Sequence, residues 1–186
     1  KGLLPEAFGW FPERITKDLD AIVLGMHAKA DNPELLKAQE LKLKIYSYPE
    51  FLYEQSKHKT RVVIGGSHGK TTSAGMLSWA LSEIDFNFSY LVGGRFKNDF
   101  LPMGKFQDSP WMVLEVDESD GTIDGFAPDI TVVLNCDWDH VDRYEHKGSV
   151  SDVFKNLLSR TRSGVILSHS SSLLPWVKKS KRLKVS

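Results

Sequence analysis

The chain has 186 residues, 41% of them hydrophobic and 26% charged, with 24 basic side chains balanced by 24 acidic ones. This composition suits a soluble globular protein with one good core, or one domain and part of another. No net charge argues for a nucleic-acid or membrane surface, and the single Cys136 excludes an internal disulfide and a cysteine-based metal cluster.

No apolar run approaches the ~18–20 residues that a bilayer requires, and the N-terminus lacks a charged-then-apolar leader pattern. A cytosolic protein is expected. The first residue is Lys1, and Leu183 to Ser186 reads as a strand without a closing element, so a segment of a longer chain is expected.

Residues 1–19 show no sustained period. Asp20 to Gly25 is a short apolar run that suits a buried parallel strand. Asn32, Pro33 and Glu34 read as N-cap, first helical position and first turn of a helix that ends near Leu41 or Lys42. A short strand at Lys44 to Tyr46 and a helix from about Pro49 follow. The polar run Gln55 to Thr60 then marks a boundary between residues 1–58 and 59–186.

Arg61 to Ile64 is a β-branched strand that runs into Gly65-Gly66-Ser67-His68-Gly69-Lys70-Thr71-Thr72, with a helical pattern from Ser73 to about Glu83. Glycines in such a strand–turn–helix let backbone N–H groups close around phosphate oxygens at the positive end of the helix. Lys70 is placed to reach the β- and γ-phosphates, and the Thr71 hydroxyl to sit on Mg²⁺. The general pattern G-x-x-x-x-G-K-[ST] would put its first glycine at Ile64, so this phosphate loop is of a tighter kind. Trp79 and Trp111 read as core.

Ser89 to Val92 is a strand ending at Gly93-Gly94, and Arg95 to Pro110 reads as a loop. Trp111 to Val116 and Asp129 to Asn135 are apolar strands that become acidic or polar at their C-terminal ends. Side by side in a parallel sheet, they deliver Glu115, Asp117, Asn135 and Asp137 to the edge that carries the phosphate loop. Ser149 to Arg160 is a helix, Gly164 to Ser168 a strand, and Leu173 to Lys179 a short helix. The basic residues Lys178, Lys179, Lys181 and Arg182 read as a solvated helix end. The alternation predicts an α/β, doubly wound parallel sheet with a P-loop, preceded by the end of a Rossmann-like α/β domain.

Mg²⁺ binds through one or two carboxylates plus phosphates and water. Glu115, where a strand emerges, is a good position for such a ligand within Glu115 to Gly121. His140 lies between Asp139 and Asp142, and an imidazole held by carboxylates is suited to a metal or a substrate carboxylate. In His68 the backbone N–H matters more than the ring.

The stretches GSHGKTT (66–72), EVDESDG (115–121) and NCDWDHVDRY (135–144), in this order, resemble the central ATPase domain of the Mur ligases of peptidoglycan metabolism. The DESDG form is similar to the branch that joins UDP-N-acetylmuramate to L-alanine. The upstream segment Gly25 to Leu52 and the GGSHGKTT loop look closer to the branch that joins it to a recovered murein tripeptide. The resemblance runs from about Asp20 to Ser168. It implies a three-domain enzyme, of which this chain would hold the end of the UDP-binding domain and roughly the first half of the ATPase domain.

By that resemblance the ligands are ATP and Mg²⁺, with Gly66, Ser67, His68, Gly69, Lys70, Thr71, Thr72 and Asn135 near the nucleotide. Thr71, Glu115 and His140 would serve metal, with Lys70, Glu115 and His140 carrying the chemistry. Gly93 and Gly94 would face the muramate, and Asp31 and Asn32 the uridine diphosphate. The implied reaction passes through an acyl phosphate, which an amine then converts to an amide. A P-loop switch or kinase and a non-catalytic nucleotide-binding fragment are the competing readings. The oligomeric state is not readable.

Overall fold

Strands and helices alternate along the chain in the computed structural model, which describes residues 8–25, 28–97, 100–118, 122–137, 147–168, 171–179 and 184–185. The chain divides into two compact units between Leu52 and Tyr53.

In the first unit, β1 (Ile22–Leu24) pairs in parallel with β2 (Ile45–Ser47), and α1 (Pro33–Glu40) lies between them in sequence. The Asn32 Oδ1 atom accepts from the N–H groups of Glu34 at 2.8 Å and Leu35 at 3.3 Å, which explains why the helix starts there. Such a cap stabilises a helix by about 1 kcal/mol. Leu35 and Ala38, three residues apart, form the buried face. The helix α2 (Tyr48–Ser56) carries the division between the units.

The second unit is a seven-stranded sheet. Its strands are β3 (Thr60–Gly65), β4 (Ser89–Leu91), β5 (Gly104–Lys105), β6 (Trp111–Glu115), β7 (Ile130–Val133), β8 (Gly164–Leu167) and β9 (Lys184–Val185), in the spatial order β5-β4-β6-β3-β7-β8-β9. All pairs are parallel except β4 with β5, where Tyr90 faces Lys105. The expected loop over 95–110 therefore contains a strand. Two residues are too short to show a period-2 pattern. The hairpin is held instead by the Val92 N–H donating to Met103 O at 2.8 Å and the Tyr90 hydroxyl donating to Pro102 O at 3.0 Å.

Helices cover both faces. The helix α3 (Lys70–Glu83) buries Ala74, Gly75 and Ser78, and Ala74 joins Ile64, Phe88, Tyr90, Val92 and Val113 in one cluster. On the opposite face α5 (Lys147–Arg160) brings in Phe154, whose ring lies 3.3 Å from where a Cβ on Gly65 would sit. The short helix α4 (Thr122–Gly125) buries Ile123, and Arg160 of α5 donates to the Ile123 and Phe126 carbonyls. A last helix, α6 (Leu174–Lys179), follows β8.

Two expectations are corrected. The helix after the phosphate loop starts at Lys70, not Ser73, because Gly69 (φ +78°) is its N-cap and the Ser73 N–H already bonds Gly69 O at 2.9 Å. Trp79, expected in the core, is 47% exposed. Apolar residues surround α3 on all sides, so spacing did not select a face; the small residues Ala74, Gly75 and Ser78 permit the close approach. Trp111 is partly buried against the cluster.

Candidate functional site

The strand β3 lies at the centre, flanked by β6 (Ile64 opposite Glu115) and β7 (Gly65 opposite Val133). After β3 the chain moves to the β6 side, and after β6 it crosses to β7. The C-terminal end of β3 is thus the point where the winding reverses, where open α/β sheets bind ligands. The glycine-rich loop leaves from that point.

Its shape is fixed from the β7 side. The His68 N–H donates to Asn135 Oδ1 at 2.8 Å, and Asn135 Nδ2 donates to His68 O at 3.0 Å. The Ser67 hydroxyl donates to Asp137 O at 2.8 Å and accepts from the Asp137 N–H at 3.0 Å. At Gly66 (φ +146°) a Cβ would lie 3.1 Å from Leu134 Cβ and 3.2 Å from Asn135 N, so only glycine allows this approach. No side chain caps α3, whose first N–H groups, Lys70 to Thr72, therefore face the loop with the positive helix end.

The β6 end supplies carboxylates. The Thr71 hydroxyl donates to Glu115 Oε1 at 2.7 Å, and the Gly93 N–H donates to Glu115 Oε2 at 2.6 Å. A Cβ on Gly93 would be 3.0 Å from both Glu115 oxygens, and one on Gly94 would be 2.8 Å from Thr71 Cγ2. Lys70, 8% exposed, places Nζ 3.1 Å from Glu118 Oε2 and 3.3 Å from Asp117 Oδ2. Burial pulls the Lys70 pKa down, but attraction to Glu118 and then Asp117 outweighs it, and the net shift is upward. Burial also raises the Cys136 thiol.

The structure therefore brings Gly66, Ser67, His68, Gly69, Lys70, Thr71, Gly93, Gly94, Glu115 and Asn135 together, with Thr72 exposed beside them. His140 lies outside the described residues, as do 119–121. Asp31 and Asn32 belong to the first unit, and Asn32 lines a cavity of about 390 Å³ there with Ile22, Leu24, Gly25 and Leu35. Glu118 as the partner of Lys70 was missed by sequence reasoning, as was the tie between Ser67 and Asp137. The acidic run at 117–120 gave the only signal, and it did not say which carboxylate turns inward.

The Thr71 hydroxyl and the Glu115 carboxylate are hard oxygen donors next to a phosphate loop and fit Mg²⁺, which takes few protein ligands. Among the described residues no group of three or more His, Cys, Asp or Glu gathers as a metal cluster. Beside Thr71 and Gly94 an apolar cavity of about 450 Å³ opens, walled by Trp79, Phe96 and Phe100. No helix among the described residues is long and apolar enough to cross a membrane.

Residues 64–185 match the profile of the Mur ligase middle domain. The chain belongs to the Mur ligase family. A UDP-N-acetylmuramate--L-alanine ligase of Rhodopseudomonas palustris (strain HaA2) is 35% identical over 139 residues, which cover 75% of this chain and 30% of that protein. The chain thus spans about a third of the length of the Mur ligase that it matches. A solved UDP-N-acetylmuramate:L-alanyl-gamma-D-glutamyl-meso-diaminopimelate ligase from Neisseria meningitides superposes with a TM-score of 0.79 at 24% identity, covering 96% of this chain and 61% of that one. The MurF ligase of Thermotoga maritima, solved in complex with ADP, gives 0.64 at 17% identity, covering 100% and 50%. These two likenesses establish the Mur ligase α/β fold.

Proposed function

We propose that the chain carries the phosphate-handling half of an ATP-dependent Mur ligase that joins UDP-N-acetylmuramate to L-alanine in peptidoglycan synthesis, in the cytoplasm. Residues 1–58 are then the end of the UDP-binding domain and 59–186 the first part of the ATPase domain. The observation that carries this reading is the meeting of Lys70, Thr71 and Glu115 at one glycine-rich turn, with hydrogen-bonding distances of 2.7 Å for Thr71 to Glu115 and 3.1 Å for Lys70 to Glu118.

In this reading the loop N–H groups and Lys70 hold the β- and γ-phosphates, while Thr71 and Glu115 hold Mg²⁺, with His140 as a further ligand. Bound Mg²⁺ supplies neutralisation of the phosphoryl oxygens. Asn135 braces the loop beside the nucleotide. Gly93 and Gly94 leave room for the muramate, and Asp31 and Asn32 approach its uridine diphosphate. A muramate carboxylate oxygen attacks the γ-phosphorus and ADP leaves; the amine nitrogen then attacks the acyl carbon and phosphate leaves. Carboxylate and triphosphate repel each other, so Lys70 contributes by offsetting charge as the phosphoryl group passes.

The test uses the full-length protein that carries this chain. Phosphate release should require both UDP-N-acetylmuramate and L-alanine, and Lys70→Ala should abolish it. Release with the murein tripeptide in place of L-alanine would assign the recycling reaction. Release that ignores the sugar nucleotide would mark a nucleotide switch instead.

A further inference from the structure

One face of α3 carries Thr72, Gly75, Met76 and Trp79, spaced three and four residues apart, and all four line the cavity of about 450 Å³ beside Thr71 and Gly94. Gly75 leaves a dip in that face. The Phe96 ring settles against it, 3.4 Å from where a Cβ would sit, and meets Phe100 edge-on at a centroid distance of 5.1 Å. Met76, Trp79 and Phe100 are all exposed. Single exposed apolar side chains are ordinary on a protein surface. Three of them gathered about one concavity are not, and its volume lies within the range of about 300–1,000 Å³ that small-molecule sites occupy. Among the described residues that line it, Arg95 is the one that carries a charge.

We infer that this cavity is a second ligand site, separate from the phosphate loop, and that it takes a small aromatic anion. A flat ring between the α3 face and the Phe96–Phe100 pair buries apolar surface on both of its sides, as aromatic contacts favour. Arg95 supplies the polar end: a guanidinium pairs with planar acid groups and stacks on ring faces. Arg95 has an interaction of its own in the folded chain, and a guanidinium, with several N–H donors, serves more than one acceptor. A cationic ring meets the Arg95 charge and no carboxylate among the described lining residues. A polyphosphate has no apolar surface to offer the rings. The two neighbouring sites thus sort ligands by chemistry, the loop through N–H groups and the cavity through aromatic faces.

The experiment titrates anilinonaphthalene sulfonate, and separately its uncharged analogue phenylnaphthylamine, into the chain and follows their fluorescence. Wild type should bind one equivalent of the sulfonate, equally well in EDTA and in the presence of tripolyphosphate with Mg²⁺, a ligand for the phosphate loop. Trp79→Ala and Phe100→Ala should each weaken binding about three- to tenfold. Phe106→Ala removes a ring that is as exposed as Phe100 but lies outside the cavity, and should change nothing. Arg95→Gln should weaken the sulfonate about three- to tenfold and leave the uncharged analogue unaffected. Circular dichroism checks that each variant is folded; if Trp79→Ala is not, Phe100→Ala and Arg95→Gln decide. Unchanged affinity in the folded cavity variants, or an equal loss in Phe106→Ala, places the probe elsewhere and overturns the inference. Competitive displacement by tripolyphosphate overturns it by putting the sulfonate on the phosphate loop, and so does a wild type that does not bind the sulfonate.

Discussion

At Lys70 two opposing effects meet, the cost of burying an ammonium and the attraction of two carboxylates, and the attraction wins. Its folded-state pKa lies above its unfolded value, so the stability it lends is complete below the ordinary lysine value of about 10.4 and is lost as pH rises through the folded value. Cys136 and Tyr90, both raised by burial, have the same sign, beginning at their ordinary values of about 8.5 and 10. Urea midpoints should therefore be flat from about pH 7 to 8 and decline above about 8.5; a midpoint that rises on the alkaline side would contradict these shifts. At Gly94 an added methyl meets Thr71 Cγ2 at 2.8 Å. Gly94→Ala should push the Thr71 hydroxyl off Glu115, at a cost of ~1–3 kcal/mol, and weaken Mg²⁺-dependent polyphosphate binding about tenfold or more by calorimetry.

Among the elements, α5 and the phosphate loop give the sharpest expectations. Phe154 is fully buried and lies against Gly65. Phe154→Ala should cost about 3–5 kcal/mol in a urea melt, and a loss below ~1 kcal/mol would mean that α5 does not close this face. The Ser67 hydroxyl both donates to and accepts from Asp137. Ser67→Ala should cost about 1–3 kcal/mol and speed hydrogen exchange at the Asp137 amide. The elements that the sequence disclosed carried local chemical marks: Asn32-Pro33 for the start of α1, strand–glycines–lysine for β3 and α3, and the acid-tipped apolar runs for β6 and β7. Others left no local mark. The strand β5 is two residues long and exists through Tyr90 and Met103. Exposure of Trp79 is decided by which neighbours α3 meets, and the inward turn of Glu118 by the position of Lys70, both long-range facts.

For the whole molecule, the sheet with its covering helices belongs to the second unit, and its cluster of Ile64, Ala74, Phe88, Tyr90, Val92 and Val113 draws on nothing from the first. A chain starting at Tyr48, which keeps α2 intact, should melt cooperatively and still bind tripolyphosphate with Mg²⁺; a non-cooperative melt would show that the first unit is needed for folding. The winding order follows from the alternation of strands and helices, whereas the antiparallel edge did not, because parallel pairing was the only pairing that the alternation implied. The four hydrogen bonds that tie Ser67 and His68 to Asn135 and Asp137 have a thermodynamic consequence. An arriving anion finds its cradle already assembled, so little chain order must be created on capture and little apolar surface is withdrawn from water. The heat-capacity change on binding should accordingly be close to zero, measurable as an enthalpy that barely varies between 10 and 35 °C.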